Sequence, residues 1–82
     1  MRVQILGTGC PKCKKLAANA EEAVRQAGVE AQIEKITGVA EIAKFGVMFT
    51  PALALDGQVK AAGKIPSVPQ IVQWIMDVQA GG

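Results

Sequence analysis

Cys10 and Cys13 stand three positions apart, and they are the chain's two cysteines; it has no histidine. Two thiols at that spacing can close into a small disulfide ring and open again. They lie at a junction. The short apolar run from Val3 to Leu6 and a Gly7-Thr8-Gly9 turn precede them, and about fifteen residues with helical periodicity follow. A thiol at the start of a helix faces backbone N–H groups that have no intrahelical acceptor, together with the positive end of the helix dipole. That setting favours the thiolate, the species that attacks disulfides.

The same spacing separates the two roles. Cys10 falls near the N-cap and Cys13 near N3, where the inward face of the helix begins. Cys10 is therefore expected to be exposed and to act as the nucleophile, and Cys13 to be shielded and to act as the resolving thiol. Lys12, with Lys14 and Lys15, adds positive field around the pair. A blander reading makes both cysteines small buried hydrophobes, but a cysteine on a turn outside the core fits it poorly. A structural zinc needs four ligands, and two cysteines without histidine supply half of them. Two-coordinate copper(I) suits soft thiolates. A copper(I)-carrying module, or a redox sensor that does not turn over, thus stands as the alternative to an enzyme.

Several elements must hold this pair in place. Arg2 to Leu6 reads as a strand with Val3 and Ile5 on one side. Pro11 suits the first turn of a helix, where its missing N–H is no loss. That helix carries Cys13, Leu16, Ala17, Ala20, Val24 and Ala27 on one face and stops at Gly28. Glu30 to Ile36 alternates imperfectly and reads as a second strand. Thr37 or Gly38 opens a short helix with Val39, Ile42, Ala43 and Phe45 inward and Gly46 at its end. Thr50-Pro51 forces extended backbone before the strand Ala52 to Leu55. Asp56-Gly57 is a two-residue hairpin turn, and Gln58 to Ala62 returns with Val59 and Ala61 in period with Leu53 and Leu55. Ser67 caps a last helix with an apolar stripe of Val68, Ile71, Val72, Ile75 and Val78, and Ala80-Gly81-Gly82 reads as a loose tail. The order is βαβαββα, an α/β fold with a four-stranded mixed sheet and helices on both faces.

The bulk properties narrow the classes. Eighty-two residues make one domain, 1–82, with half its residues apolar. A net charge of +2 from nine basic and seven acidic residues is an ordinary surface balance. Only Phe45, Phe49 and Trp74 are aromatic, and they are not interleaved with basic residues as single-strand binders require, so no nucleic-acid partner is expected. No apolar run is long enough to span a bilayer, so no membrane association is expected. No targeting segment is visible, and a cytoplasmic monomer is the expectation. In a reducing compartment a CxxC pair is catalytic or metal-binding more often than a permanent staple.

With Cys10-Pro11-Lys12-Cys13 after the first strand and Thr50-Pro51 before a hairpin, the chain resembles the thioredoxin superfamily. It is most similar to the small, glutaredoxin-sized redox-active disulfide proteins, from Arg2 to about Val78. The resemblance implies a thioredoxin-like fold in which Pro51 is cis and lies against the cysteine pair. It implies that Thr50 offers its backbone to an extended partner strand, a short case of strand addition. It implies a thiol–disulfide oxidoreductase with no cofactor, a protein (or small-molecule) disulfide as substrate and an upstream disulfide reductase as partner; glutathione use is open. The chain departs from typical thioredoxins in three places. Gly9 replaces a tryptophan before the first cysteine, and Pro11-Lys12 replaces Gly-Pro. Counting six residues back from Cys10, Gln4 stands where thioredoxins bury an aspartate that helps move the resolving thiol's proton. Slower resolution is expected, with water or a nearby lysine in that role. Trp74 reads as core or core edge, and Met48 and Phe49 as either an apolar rim to the site or packing.

Overall fold

In chain order the elements are β1 (Arg2–Leu6), α1 (Pro11–Ala27), β2 (Gln32–Ile36), α2 (Val39–Lys44), β3 (Ala52–Leu55), β4 (Gln58–Ala62) and α3 (Val68–Gly81). The computed structural model describes residues 1–7, 9 and 11–81. The four strands form one mixed sheet in the order β2-β1-β3-β4. β1 pairs parallel with β2, and β3 pairs antiparallel with both β1 and β4. Parallel neighbours need a crossover, and α1 supplies it.

Alternation along the two central strands sorts side chains into two layers. Val3 and Ile5 of β1 and Leu53 and Leu55 of β3 meet Leu16, Ala17, Ala20 and Ala23 of α1 and Ile71 and Ile75 of α3. Leu6, Ala52 and Ala54 face the other way, onto Ile42 of α2. In Ala-Leu-Ala-Leu of β3 the large side chains therefore go to the face with two helices and the small ones to the face with one. Each fully buried Leu or Ile is worth about 1.5–3 kcal/mol relative to exposure. Most of the apolar stabilisation thus sits between the sheet, α1 and α3.

The Asp56-Gly57 turn closes as expected. Both residues are left-handed, at φ 50° and 85°, the geometry that matches the twist of a tight hairpin. The turn folds back on β1: Asp56 Oδ1 accepts from Arg2 N at 2.7 Å, and Gly57 N donates to Gln4 Oε1 at 2.9 Å.

Five local expectations need correction. On α1, Ala23 is fully buried while Val24 and Ala27 are only partly so; an alanine fits the close approach of α1 to the sheet. β2 starts at Gln32 rather than Glu30. On α2, Ile42 alone is buried, Phe45 is half-buried, and Val39 and Ala43 are exposed, because a helix of six residues turns too few positions inward. In the hairpin, the pairing shifts between Leu53 and Ala54. Ala61 still opposes Leu53, but Val59 opposes Ala54 and is exposed. Ala80 and Gly81 belong to α3 rather than to a loose tail; Gly82 lies outside the described residues.

Candidate functional site

The sheet pairing brings the C-terminal ends of β1, β2 and β4 and the N-terminal end of β3 to one end of the molecule. Gly7 leaves β1 there, with its N–H donating to Ile36 O at 3.0 Å. α1 begins at Pro11, and Cys13, its third residue, is 5% exposed. The shielding expected of the resolving thiol is therefore present. Cys10 lies outside the described residues, and with it the expectation of an exposed thiol at the N-cap.

Thr50-Pro51 is the other half of the site. The peptide bond between them is cis. Pro51 is buried and Thr50 exposed. Pro51 O accepts from Gly63 N at 2.8 Å, which ties the start of β3 to the end of β4. Gly7 joins the two halves. A Cβ placed on it would run into Cys13 Sγ, and it would stand 3.3 Å from Cys13 Cβ and 3.9 Å from Pro51 Cα. A residue without a side chain is what lets the first turn of α1 and Pro51 close on the same point. The need is for space rather than backbone conformation, since Gly7 is not left-handed.

A cavity of about 130 Å³ opens beside Cys13, lined by Ile5, Gly7, Gly9, Cys13, Lys14, Ala17, Lys35 and Thr37. Lys14 enters from α1. Lys35 enters because β2 pairs it with Ile5, on the face that α1 covers. Lys12 is exposed and does not line this cavity. Gln4, the residue reached by counting, is not beneath Cys13. Strand alternation turns it to the opposite face, where it bonds Gly57 and donates to Glu34 Oε1 at 3.4 Å. Ile5 occupies the place under the helix, and it cannot titrate. Lys35 was missed in the sequence because only the β1–β2 register reveals it.

Met48 and Phe49, just before Thr50-Pro51, are 88% and 68% exposed, and Phe49 lies against the Gly63 backbone. Trp74 is half-buried at the edge of the larger core and lines a groove with Lys60, Lys64, Ile65 and Gln70. Among the described residues no group of three or more His, Cys, Asp or Glu side chains could hold a metal ion. No helix among them is long and apolar enough to cross a membrane.

The model of a family described as thioredoxin domain matches residues 1–76. This chain belongs to the thioredoxin family. A thioredoxin of Methanothermobacter thermautotrophicus is 42% identical over 71 residues, covering 87% of this chain and 92% of that one. A thioredoxin of Methanocaldococcus jannaschii is 46% identical over 79 residues, covering 96% and 91%. The thioredoxin-like α/β fold and the superfamily membership read from the sequence both hold, and the chain is a thioredoxin-like redox protein.

Proposed function

We propose that this protein is a thiol–disulfide oxidoreductase that exchanges a Cys10–Cys13 dithiol with a disulfide on a protein. One observation carries the reading: in a thioredoxin-family chain, a shielded Cys13 and Pro51 close on the same point at Gly7.

The Cys10 thiolate attacks one sulfur of the partner disulfide. The partner's other sulfur leaves as a thiolate, and a mixed disulfide remains. Cys13, having lost its proton, attacks the Cys10 sulfur. The second partner sulfur leaves and is protonated. Two electrons have passed to the partner, and Cys10–Cys13 is now the disulfide. An upstream disulfide reductase returns it to the dithiol. The chemistry calls for no cofactor.

The surroundings support these steps. Shielding keeps Cys13 from meeting partners directly, so it acts on the mixed disulfide beside it. Lys14 and Lys35 line the cavity beside Cys13 and bring positive charge to the side of the site where resolution takes place. With Gln4 engaged elsewhere and Ile5 beneath, none of the described residues lining the cavity is a carboxylate. Thr50, exposed next to buried Pro51, offers backbone to an extended partner segment.

The test is trapping in metal-free buffer. Cys13→Ser is expected to accumulate mixed disulfides through Cys10, and Cys10→Ser to accumulate few. Equal trapping by both variants would refute the assignment of roles. Failure of the unaltered protein to reduce any disulfide faster than a free dithiol would refute the enzyme.

A further inference from the structure

Charge is segregated along this molecule. At the Cys13–Pro51 end lie Lys12, Lys14 and Lys15 in the first turns of α1, Lys35 near the end of β2, and Lys64 just past β4. All five are exposed. On α2, Glu41 and Lys44 offset each other. Of the remaining six acids, Glu34 adjoins Lys35 on β2 but turns to the other face of the sheet, against Arg2 and Gln4, and the other five lie elsewhere. Glu21 and Glu22 are in the second half of α1, Glu30 precedes β2, and Asp56 is in the far hairpin. Asp77 lines a surface with Gln58, the first residue of β4, at the end away from Pro51. The two ion pairs among the described residues, Arg2–Glu34 and Arg25–Glu22, use both arginines and no lysine. A net charge of only +2 therefore conceals a cationic end and an acidic end.

The cationic end is also where Met48, Phe49 and Thr50 are exposed. An exposed apolar shelf thus shares this end of the molecule with lysines from α1, β2 and the segment after β4. Screening at physiological salt acts over about 8 Å. Charges gathered around one small site still sum there, and such fields raise association rates by roughly 10- to 1000-fold for a partner of opposite sign.

We propose that this end docks an acidic protein surface, one that presents its disulfide between Asp and Glu side chains with an apolar residue for the Met48–Phe49 shelf. The proposal deepens, and rests on, the dithiol-exchange reading above.

It is tested with the full-length dithiol protein and three peptides of equal length. Each contains one disulfide, flanked by glutamates, serines or lysines. At about 20 mM salt the glutamate peptide is expected to be reduced roughly tenfold or more faster than the lysine peptide, with the serine peptide between. At about 500 mM salt the ratio is expected to fall below about threefold. Lys64→Glu is expected to lower the low-salt ratio by about threefold. Equal rates at low salt, a ratio that salt leaves unchanged, or a ratio untouched by Lys64→Glu would each overturn the acidic partner while leaving the dithiol reading standing. Reduction of none of the peptides would overturn both.

Discussion

At the scale of single residues, Gly7 sets the distance between Cys13 and the proline loop. Its substitution makes a clean probe because its φ is ordinary. Gly7→Ala brings no backbone penalty, only a methyl group where Cys13 Sγ already lies. Overpacking of that kind costs about 1–3 kcal/mol. Urea denaturation is expected to show a loss in that range, and disulfide reduction is expected to slow as α1 or Pro51 moves away. Gly38→Ala is the control, since its Cβ would meet only Glu41 side-chain atoms at 3.8 Å or beyond. Gly38 is the N-cap of α2, where alanine is poorer than glycine, so a loss of about 0.5–1 kcal/mol is expected with disulfide reduction unchanged. Equal effects from both substitutions would remove the close approach at Gly7 from the account of the site. The chain announces its cysteine pair and its Thr-Pro through residue type and spacing. It does not announce Gly7, because contact between residues 7, 13 and 51 is a product of sheet pairing. Lys35 is hidden for the same reason. The count that singled out Gln4 failed because a strand turns alternate residues to opposite faces, so an error of one position moves a side chain through the sheet.

At the scale of elements, long periodic segments were legible and short ones were less so. The inward face of α1 repeats over 17 residues, so omitting one position, Ala23, leaves the pattern intact, and Val24 and Ala27 do pack against the larger core. α2 has six residues, and half of its assigned inward face was wrong: Ile42 and Phe45 pack on the smaller core, whereas Val39 and Ala43 are exposed. In β4 the pairing shift at Leu53/Ala54 defeats a strict period of two. The Asp56-Gly57 turn was legible because its residue types meet a backbone requirement directly. Its second role was not: Asp56 Oδ1 also accepts the Arg2 N–H at the start of β1. Asp56→Ala therefore removes that acceptor and a residue that tolerates left-handed backbone. It is expected to cost about 1–2 kcal/mol in urea denaturation. Asp56→Asn keeps both properties in part and is expected to lose less than half as much. If the alanine and asparagine variants were equally stable, the hairpin tip would have no hold on β1.

For the whole molecule, the two layers are unequal. Among the described residues, the larger joins ten buried ones from β1, β3, α1 and α3. The smaller has four, of which Ile42 is α2's contribution. A six-residue helix is far below the length that holds itself in water, so α2 depends on that one anchor and its half-buried neighbours. Stability is then unevenly distributed, and local opening follows the weaker layer. The chain from α2 to Pro51 passes through Met48, Phe49 and Thr50, the exposed shelf of the proposed partner site. The least stable helix is thus the one that leads directly into the docking loop, while the Cys13 helix belongs to the strongest packing. Hydrogen exchange measures this directly. Amides of Ile42 to Phe45 are expected to exchange at least roughly 100-fold faster, relative to their intrinsic rates, than amides of Ala17 to Ala23. That ratio corresponds to about 2.7 kcal/mol in opening free energy. Ile42→Ala is expected to raise exchange further in α2 and in residues 45–50, while leaving the centre of α1 within about threefold of its original protection. Equal protection of the two helices would mean that the layers unfold as one unit, and the partner loop would then have to accept its strand without yielding.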